Sequence, residues 1–238
     1  MLSIVLFGSG KGTLINSICR ANEEGILQIN INCIVSNSDN DNLINIGNKY
    51  NIPVETAIWD KSNEDRNDYD NKLINITLKY NPDLIVLAGW MHIVNNTFIN
   101  SFKNIINIHP SLPKTFVGAN CIKMAYDSFQ RGEIKYTGSM VHRVTNVLDE
   151  GEVIDTVNVP IYSTDSYEDL ENRQKLLERG LIVSSIQQFV NKHYTISLQK
   201  ENVYVGKVRS VKDIGYGFLL LTASDRLSAF DKHMCDIK

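Results

Sequence analysis

Leu2-Ser-Ile-Val-Leu-Phe-Gly-Ser-Gly-Lys-Gly-Thr13 sets a short, almost wholly apolar run directly against a glycine-rich loop, and a helix-period segment follows at 14–24. A run without polar alternation reads as a strand buried on both faces, the habit of parallel sheets. The segment after it puts Ile15, Ile18 and Cys19 on one helical face. Runs at 33–36, 84–88 and 105–108 have the same predominantly apolar character, and helix-period stretches at 42–50 and 69–80 separate the first two. In the second stretch Leu73, Ile76, Thr77 and Tyr80 recur at i, i+3, i+4 and i+7 before Asn81-Pro82 stops the helix. Such repetition implies right-handed crossovers, so the expected fold class is α/β, with a mainly parallel sheet covered by helices on both faces.

The pattern continues beyond Ala119 with a helix to about Arg131, strands at 137–144 and 152–160, and a long helix running towards Val190. Thr164 or Asp165 is the expected N-cap of that helix, with Glu168 and Asp169 in its first turn. Two further strands, 203–211 and 218–222, flank Asp213-Ile-Gly-Tyr-Gly217, a hairpin signal. Two strands alone are marginal in water. The expected division is therefore a main domain, 1–193, and a separate unit, 194–238, that ends in a C-terminal β-hairpin.

Composition narrows the function. The chain has 238 residues, is 43% hydrophobic and 21% charged, and carries a formal net charge of −3. That apolar fraction excludes global disorder, and a pI near 6.0 gives no basic field for nucleic acid. Cys19, Cys33, Cys121 and Cys235 have neither CxxC nor CxxH spacing, so neither a disulfide framework nor a zinc site is expected. No stretch approaches the roughly 20 apolar residues needed to span a bilayer. The expectation is a cytoplasmic protein with no membrane, nucleic-acid or metal partner, of open oligomeric state.

The glycine loop invites an anion, because its backbone N–H groups meet at a helix N-terminus and Lys11 adds charge. A plain turn between strand and helix is the bland alternative. A P-loop is excluded by spacing: the first glycine should stand five residues before Gly10, where Val5 lies inside the strand. So short a loop suits a single phosphate monoester, as on a ribose 5-phosphate.

A second constellation begins at Leu84-Ile-Val-Leu-Ala-Gly-Trp-Met-His92 and leads to Asn107-Ile-His-Pro-Ser-Leu-Pro113. Asn107 and His109 stand two apart on a strand and therefore share a side, and Pro110 ends the strand just beyond. Open α/β sheets place ligands at the carboxyl ends of their strands. Asp149, in Asn146-Val-Leu-Asp-Glu-Gly151, is a further candidate, although an Asp before a loop glycine is more often turn chemistry.

Together these segments resemble the folate-dependent glycinamide ribonucleotide formyltransferases over about residues 1–190. The resemblance rests on Ser9-Gly-Lys-Gly-Thr13, Val35-Ser-Asn37, Leu87-Ala-Gly-Trp-Met91, Asn107-Ile-His-Pro-Ser-Leu-Pro113, Thr137-Gly138, Val141-His142, Leu148-Asp149 and Glu178, in order. It implies a Rossmann-like formyltransferase fold and 10-formyltetrahydrofolate as co-substrate, with no metal. It further implies that Asn107, His109 and Asp149 are the catalytic trio. By the same resemblance Gly12, Thr13 and Leu14 hold the ribose phosphate through their backbone, and Lys175 and Glu178 contact the ribonucleotide. Trp90, Met91, His92, Ile93 and Val94, with Val144 and Leu148, would line the folate slot. Two positions depart from the family's habit: Leu14 stands where an Asn is usual, and His92 where an Arg is common. Two alternatives stay open, a ribonucleotide-binding homologue without turnover and a formyltetrahydrofolate deformylase. The glycine loop favours a phosphorylated ribonucleotide acceptor over both deformylase and methionyl-tRNA formyltransferase.

The last forty residues carry a resemblance of their own. Val203-Tyr-Val-Gly-Lys-Val-Arg209 and Leu221-Thr-Ala-Ser-Asp-Arg-Leu-Ser-Ala-Phe-Asp231 are similar to the beginning of the SAICAR synthetases, ATP-dependent ligases of purine biosynthesis. That similarity implies that Lys207 and Arg209 are remnants of an ATP-phosphate site. The expectation is the truncated start of such a domain, from a bifunctional protein, with no ligase activity of its own.

Overall fold

The computed structural model describes residues 1–39 and 41–200, and the backbone of two strands at 209–215 and 218–223; side chains are described to residue 192. The first strand β1 (Leu2–Gly8) and helix α1 (Thr13–Glu23) form the unit that the glycine loop joins. There follow β2 (Ile29–Ser36), α2 (Asp41–Tyr50), β3 (Val54–Thr56), α3 (Arg66–Leu78), β4 (Leu84–Leu87), α4 (Asn96–Ser101) and β5 (Ile105–His109). Then come α5 (Cys121–Gln130), β6 (Tyr136–Arg143), β7 (Val153–Pro160) and α6 (Tyr167–Lys200). Seven strands make one sheet in the order β3-β2-β1-β4-β5-β6-β7. The first five are parallel; β6 and β7 are antiparallel additions at one edge.

The strand order reverses at β1, from which β2 and β3 build outwards on one side and β4 and β5 on the other. A crevice opens at such a switch point, beyond the strands' carboxyl ends, where α/β proteins bind ligands. The glycine loop leaves β1 there, the 88–95 segment leaves β4, and Asn107 and His109 end β5. Alternation along β1 builds the two cores that fix this geometry. Ile4 and Leu6 face a cluster with Ile15 and Ile18 of α1 and Ile182 and Ile186 of α6. Val5 and Phe7 face Tyr69 and Leu73 of α3 and Phe98 of α4.

The structure corrects several sequence-based boundaries. Strand β3 and helix α4 were not expected, and α3 starts at Arg66 rather than at Tyr69, capped by Asp65, whose Oδ1 accepts the Asn67 N–H at 2.8 Å. The cap of α6 is neither Thr164 nor Asp165. Ser166 and Asp169 bond reciprocally, Asp169 N–H to Ser166 Oγ at 3.2 Å and Ser166 N–H to Asp169 Oδ2 at 2.9 Å. Asp165 instead takes a bidentate contact from Arg173, both bonds 2.7 Å. In the tail, β8 (Arg209–Gly215) and β9 (Phe218–Ala223) pair antiparallel, with Asp213 still inside the strand. Residues 203–208, where the first of these strands was expected to begin, lie outside the described residues, as does Lys207.

Candidate active site

The glycine loop has no slack. Ser9 donates its N–H to Gly89 O at 3.1 Å, and its Oγ accepts the Met91 N–H at 3.1 Å, so the loops after β1 and β4 are stitched together. Gly12 caps α1 with φ +65°. A Cβ there would come within 2.5 Å of the Leu43 and 2.8 Å of the Ile46 terminal methyls on α2, which would have to shift, and the left-handed φ itself favours glycine. With no side-chain cap on α1, the N–H groups of its first turn, Thr13 and Leu14 among them, are left to an anion or water. Lys175 pairs with Glu171 at 3.0 Å on the neighbouring α6. The Lys175 bond and, at longer range, the Lys11 charge hold the Glu171 carboxyl below its ordinary range.

Across the crevice, β5 delivers Asn107 and His109 to one side of the sheet, and β6 sets His142 directly opposite Asn107. The 144–152 loop returns Asp149 to them. Val144 N–H still bonds Ile105 O at 2.9 Å, and five residues later Asp149 has run back to the other end of β5. Its φ of +55° is a left-handed turn that Asp tolerates better than most residues. Asp149 Oδ2 lies 3.5 Å from His109 Nδ1 and accepts the Gly118 N–H at 3.1 Å, while Oδ1 lies 3.6 Å from His142 Nε2. The carboxylate is only 6% exposed, so its field at the two imidazoles is little screened by solvent. His109 Nε2 bonds Phe116 O at 2.9 Å, with the Cys121 thiol 3.5 Å away. A carbonyl accepts only, so Nε2 carries a proton. Burial pushes the Cys121 thiol up to about 11, which keeps it from acting as a thiolate at neutral pH.

The expected folate-slot residues divide into two groups. Met91 and Ile93 are exposed, as is Leu148 in the opposite loop, and Val144 is half-buried. Trp90 and Val94 belong to the core: Trp90 packs edge-on against Phe7 with centroids 5.0 Å apart. His92 joins an aromatic group with Trp59, Tyr69 and Trp90. Burial, and then the nearby Arg66 and Lys61 charges, hold its imidazole below the usual range. Arg66 bonds Asp70 at 2.8 Å, lies over the Trp59 ring and donates to Ile93 O, anchoring the 88–95 segment from the α3 side.

Lys175 and Glu178 are one helical turn apart on α6. Glu178 is buried and accepts the Ser139 hydroxyl at 2.8 Å; Gln174 donates to Pro110 O at 2.8 Å and Gly138 O at 2.9 Å. Burial pushes the Glu178 carboxyl up to about 7. A carboxyl raised by folding stabilises the protein below its unfolded value, and that contribution is lost as pH rises through about 7. Glu178→Gln is therefore expected to raise the melting temperature at pH 8, by on the order of 2–3 kcal/mol of stability, and to change little at pH 4. Thermal unfolding at the two pH values checks this; equal shifts at both would refute it.

His142 is the residue sequence reasoning passed over. It was read only as part of a motif, yet it touches Asn107 and faces Asp149. The available signal was a histidine inside a strand that is buried along most of its length, but the antiparallel register that sets it opposite Asn107 has no local signature. Among the described residues no group of three or more His, Cys, Asp and Glu is placed to hold a metal ion, and no helix is long and apolar enough to cross a membrane. The side chain of Arg209 is outside the described set.

Residues 2–186 match the family model described as formyl transferase. The chain is 36% identical over 199 residues to the phosphoribosylglycinamide formyltransferase of Dictyostelium discoideum, covering 77% of this chain and 96% of that protein. It is 34% identical to the enzyme of the same name from Schizosaccharomyces pombe, over 79% and 97% of the two chains. Among solved structures, the glycinamide ribonucleotide transformylase 1 of Symbiobacterium toebii superposes with a TM-score of 0.74 at 27% identity, covering 81% of this chain and 89% of that one.

Proposed function

The chain belongs to the formyl transferase family, and we propose that Asn107, His109 and Asp149 carry that family's chemistry at the carboxyl end of β5. The reaction moves the formyl group of 10-formyltetrahydrofolate, the co-substrate, to the amino group of glycinamide ribonucleotide, a step of purine biosynthesis. One observation carries the assignment of residues: a buried carboxylate, brought back from forty positions downstream, lies against Nδ1 of His109. Such a carboxylate fixes the orientation of the ring.

The amine nitrogen attacks the formyl carbon, and the carbonyl oxygen becomes an oxyanion. Asn107 N–H and the imidazolium of His109 donate to it. The amine proton passes through a water held by Asp149 to the folate nitrogen, the bond from formyl carbon to that nitrogen breaks, and the formamide and tetrahydrofolate separate. In the structure Nε2 of His109 donates to Phe116 O. On this reading the formyl oxygen replaces that carbonyl, and the 110–120 segment yields it on binding. Gly12, Thr13 and Leu14 hold the ribose phosphate, Lys175 and Glu178 the ribonucleotide, and the exposed faces of Met91, Ile93 and Leu148 the folate ring system.

The test is a formyl-transfer assay with the purified chain. Tetrahydrofolate should appear only when ribonucleotide is present, in equal amount to formylated ribonucleotide. Formate released without ribonucleotide would favour a deformylase, and ribonucleotide binding without turnover a non-catalytic homologue.

We read residues 194–238 as a second unit, similar to the start of the SAICAR synthetases and so marking a bifunctional lineage, with α6 continuing across that boundary to Lys200. The support is the order of its two sequence motifs, and the β8–β9 hairpin is compatible with it. A cytoplasmic location is part of this reading, and the free thiols of Cys19, Cys33 and Cys121 are compatible with it.

A further inference from the structure

Buried in the β5–β6 pair is a histidine that the chemistry above does not use. His142 is 3% exposed, and it stands directly across the antiparallel register from Asn107. Its Nδ1 lies 2.9 Å from Arg143 O, and its Nε2 lies 3.2 Å from Asn107 Nδ2. A carbonyl accepts only, so Nδ1 must carry the ring proton. A carboxamide nitrogen donates only, so Nε2 must offer its lone pair. The two contacts define one neutral tautomer and leave neither nitrogen unsatisfied.

The same logic runs back to Asn107. An asparagine amide has nearly the same shape with its oxygen and nitrogen exchanged, so shape alone does not decide which end meets a substrate. We infer that His142 is a positioning residue that selects the donor end of Asn107, engaging one of its two N–H bonds and leaving the other for the developing oxyanion. The inference rests on the role given to Asn107 above.

A proton on Nε2 would undo this. Two donors would then face each other across 3.2 Å, and the amide would turn its oxygen towards His142, presenting a lone pair where a hydrogen bond is needed. The groups around the ring set how readily this happens. Asp149 Oδ1 stands 3.6 Å from Nε2 and attracts a proton, as does the Arg143 carbonyl; burial and the neighbouring His109 oppose it. Burial is the largest of these influences and holds His142 below the ordinary histidine range. The Arg143 guanidinium is turned away, to Glu152 at 2.9 Å and Asn104 at 3.2 Å.

A double-mutant cycle on the full chain tests the inference, with kcat and both KM values measured between pH 5 and 9. Asn107→Ala should lower kcat about 10²-fold, as loss of one oxyanion donor does. His142→Ala should lower kcat by about 10-fold or more at pH 7.5, with both KM values within about twofold of wild type. Adding His142→Ala to Asn107→Ala should cost nothing further, because a residue acting through another has no effect once that partner is gone. His142→Gln, whose amide oxygen accepts the same bond, should recover most of kcat and shift the acid limb of the profile to lower pH. Additive losses in the double variant would overturn the inference, as would wild-type kcat in His142→Ala. So would a Gln variant that melts like wild type but is as slow as the Ala variant. Wild-type kcat in Asn107→Ala would sink the catalytic reading itself, a separate outcome.

Discussion

His109→Ala is expected to lower kcat about 10³-fold while the KM for ribonucleotide changes little. The polar partners of the ring are Phe116 O, Cys121 and Asp149, none of them in the glycine loop or α6, so the phosphate and ribose grips should survive its loss. What disappears is an oxyanion donor, worth about 10²–10³ in rate where one has been removed elsewhere, and a proton carrier, worth about 10²–10⁴. Asp149→Asn should reach a comparable loss by another route. The amide still accepts the Gly118 N–H, so the loop keeps its course, but the negative charge beside His109 Nδ1 is gone. Because the two groups act as one unit, the double variant should be hardly slower than the worse single one. Single-turnover rates with both substrates saturating would check this. A full product of the two losses would mean independent roles, and wild-type rates in both variants would remove them from the chemistry.

The parallel sheet was legible because its central strands are buried on both faces and are predominantly apolar, as in β1, β4 and β5. The ends of short elements were not. Strand β3 has three residues, and α4 buries one side chain, Phe98, too little periodicity to register. The α6 cap was misplaced because three consecutive polar residues are all competent to cap, and tertiary contact decides among them: Arg173 claims Asp165 and leaves Ser166 at the helix end. The candidate site was legible in the same uneven way. Asn107 and His109 share a strand, so their convergence follows from the two-residue period. Asp149 arrives through a loop that doubles back along β5, and only its resemblance to a known family singled it out. His142 depends on the pairing of β6 with β5, which no local pattern encodes.

Gly151→Ala is expected to damage the site through a single added methyl group. A Cβ at that position would lie 1.7 Å from Arg143 O and 2.8 Å from Arg143 C, backbone atoms that cannot rotate aside. Gly151 is there because the returning loop must pass against the end of β6. The contact falls where the candidate site is least able to absorb it. Arg143 O is the acceptor for His142 Nδ1, Arg143 N–H bonds Glu152 O at 2.9 Å, and Asp149 is two residues before the glycine. Separating the two backbones by the ångström or more needed for relief would move Asp149 off His109 and loosen His142 together. A displacement of about 1 Å in a catalytic group costs about 10²-fold in rate, and forcing an added carbon into a packed site costs about 1–3 kcal/mol of stability. The expected result is a folded protein with a lower melting temperature, kcat down about 10²-fold, and ribonucleotide affinity within about threefold of wild type, since the glycine loop is attached to different strands. Measuring affinity and rate on the same preparation separates this from general unfolding, which would depress both together. A variant with wild-type kcat would show that the loop has another path past β6 and that its close approach does not set the position of Asp149.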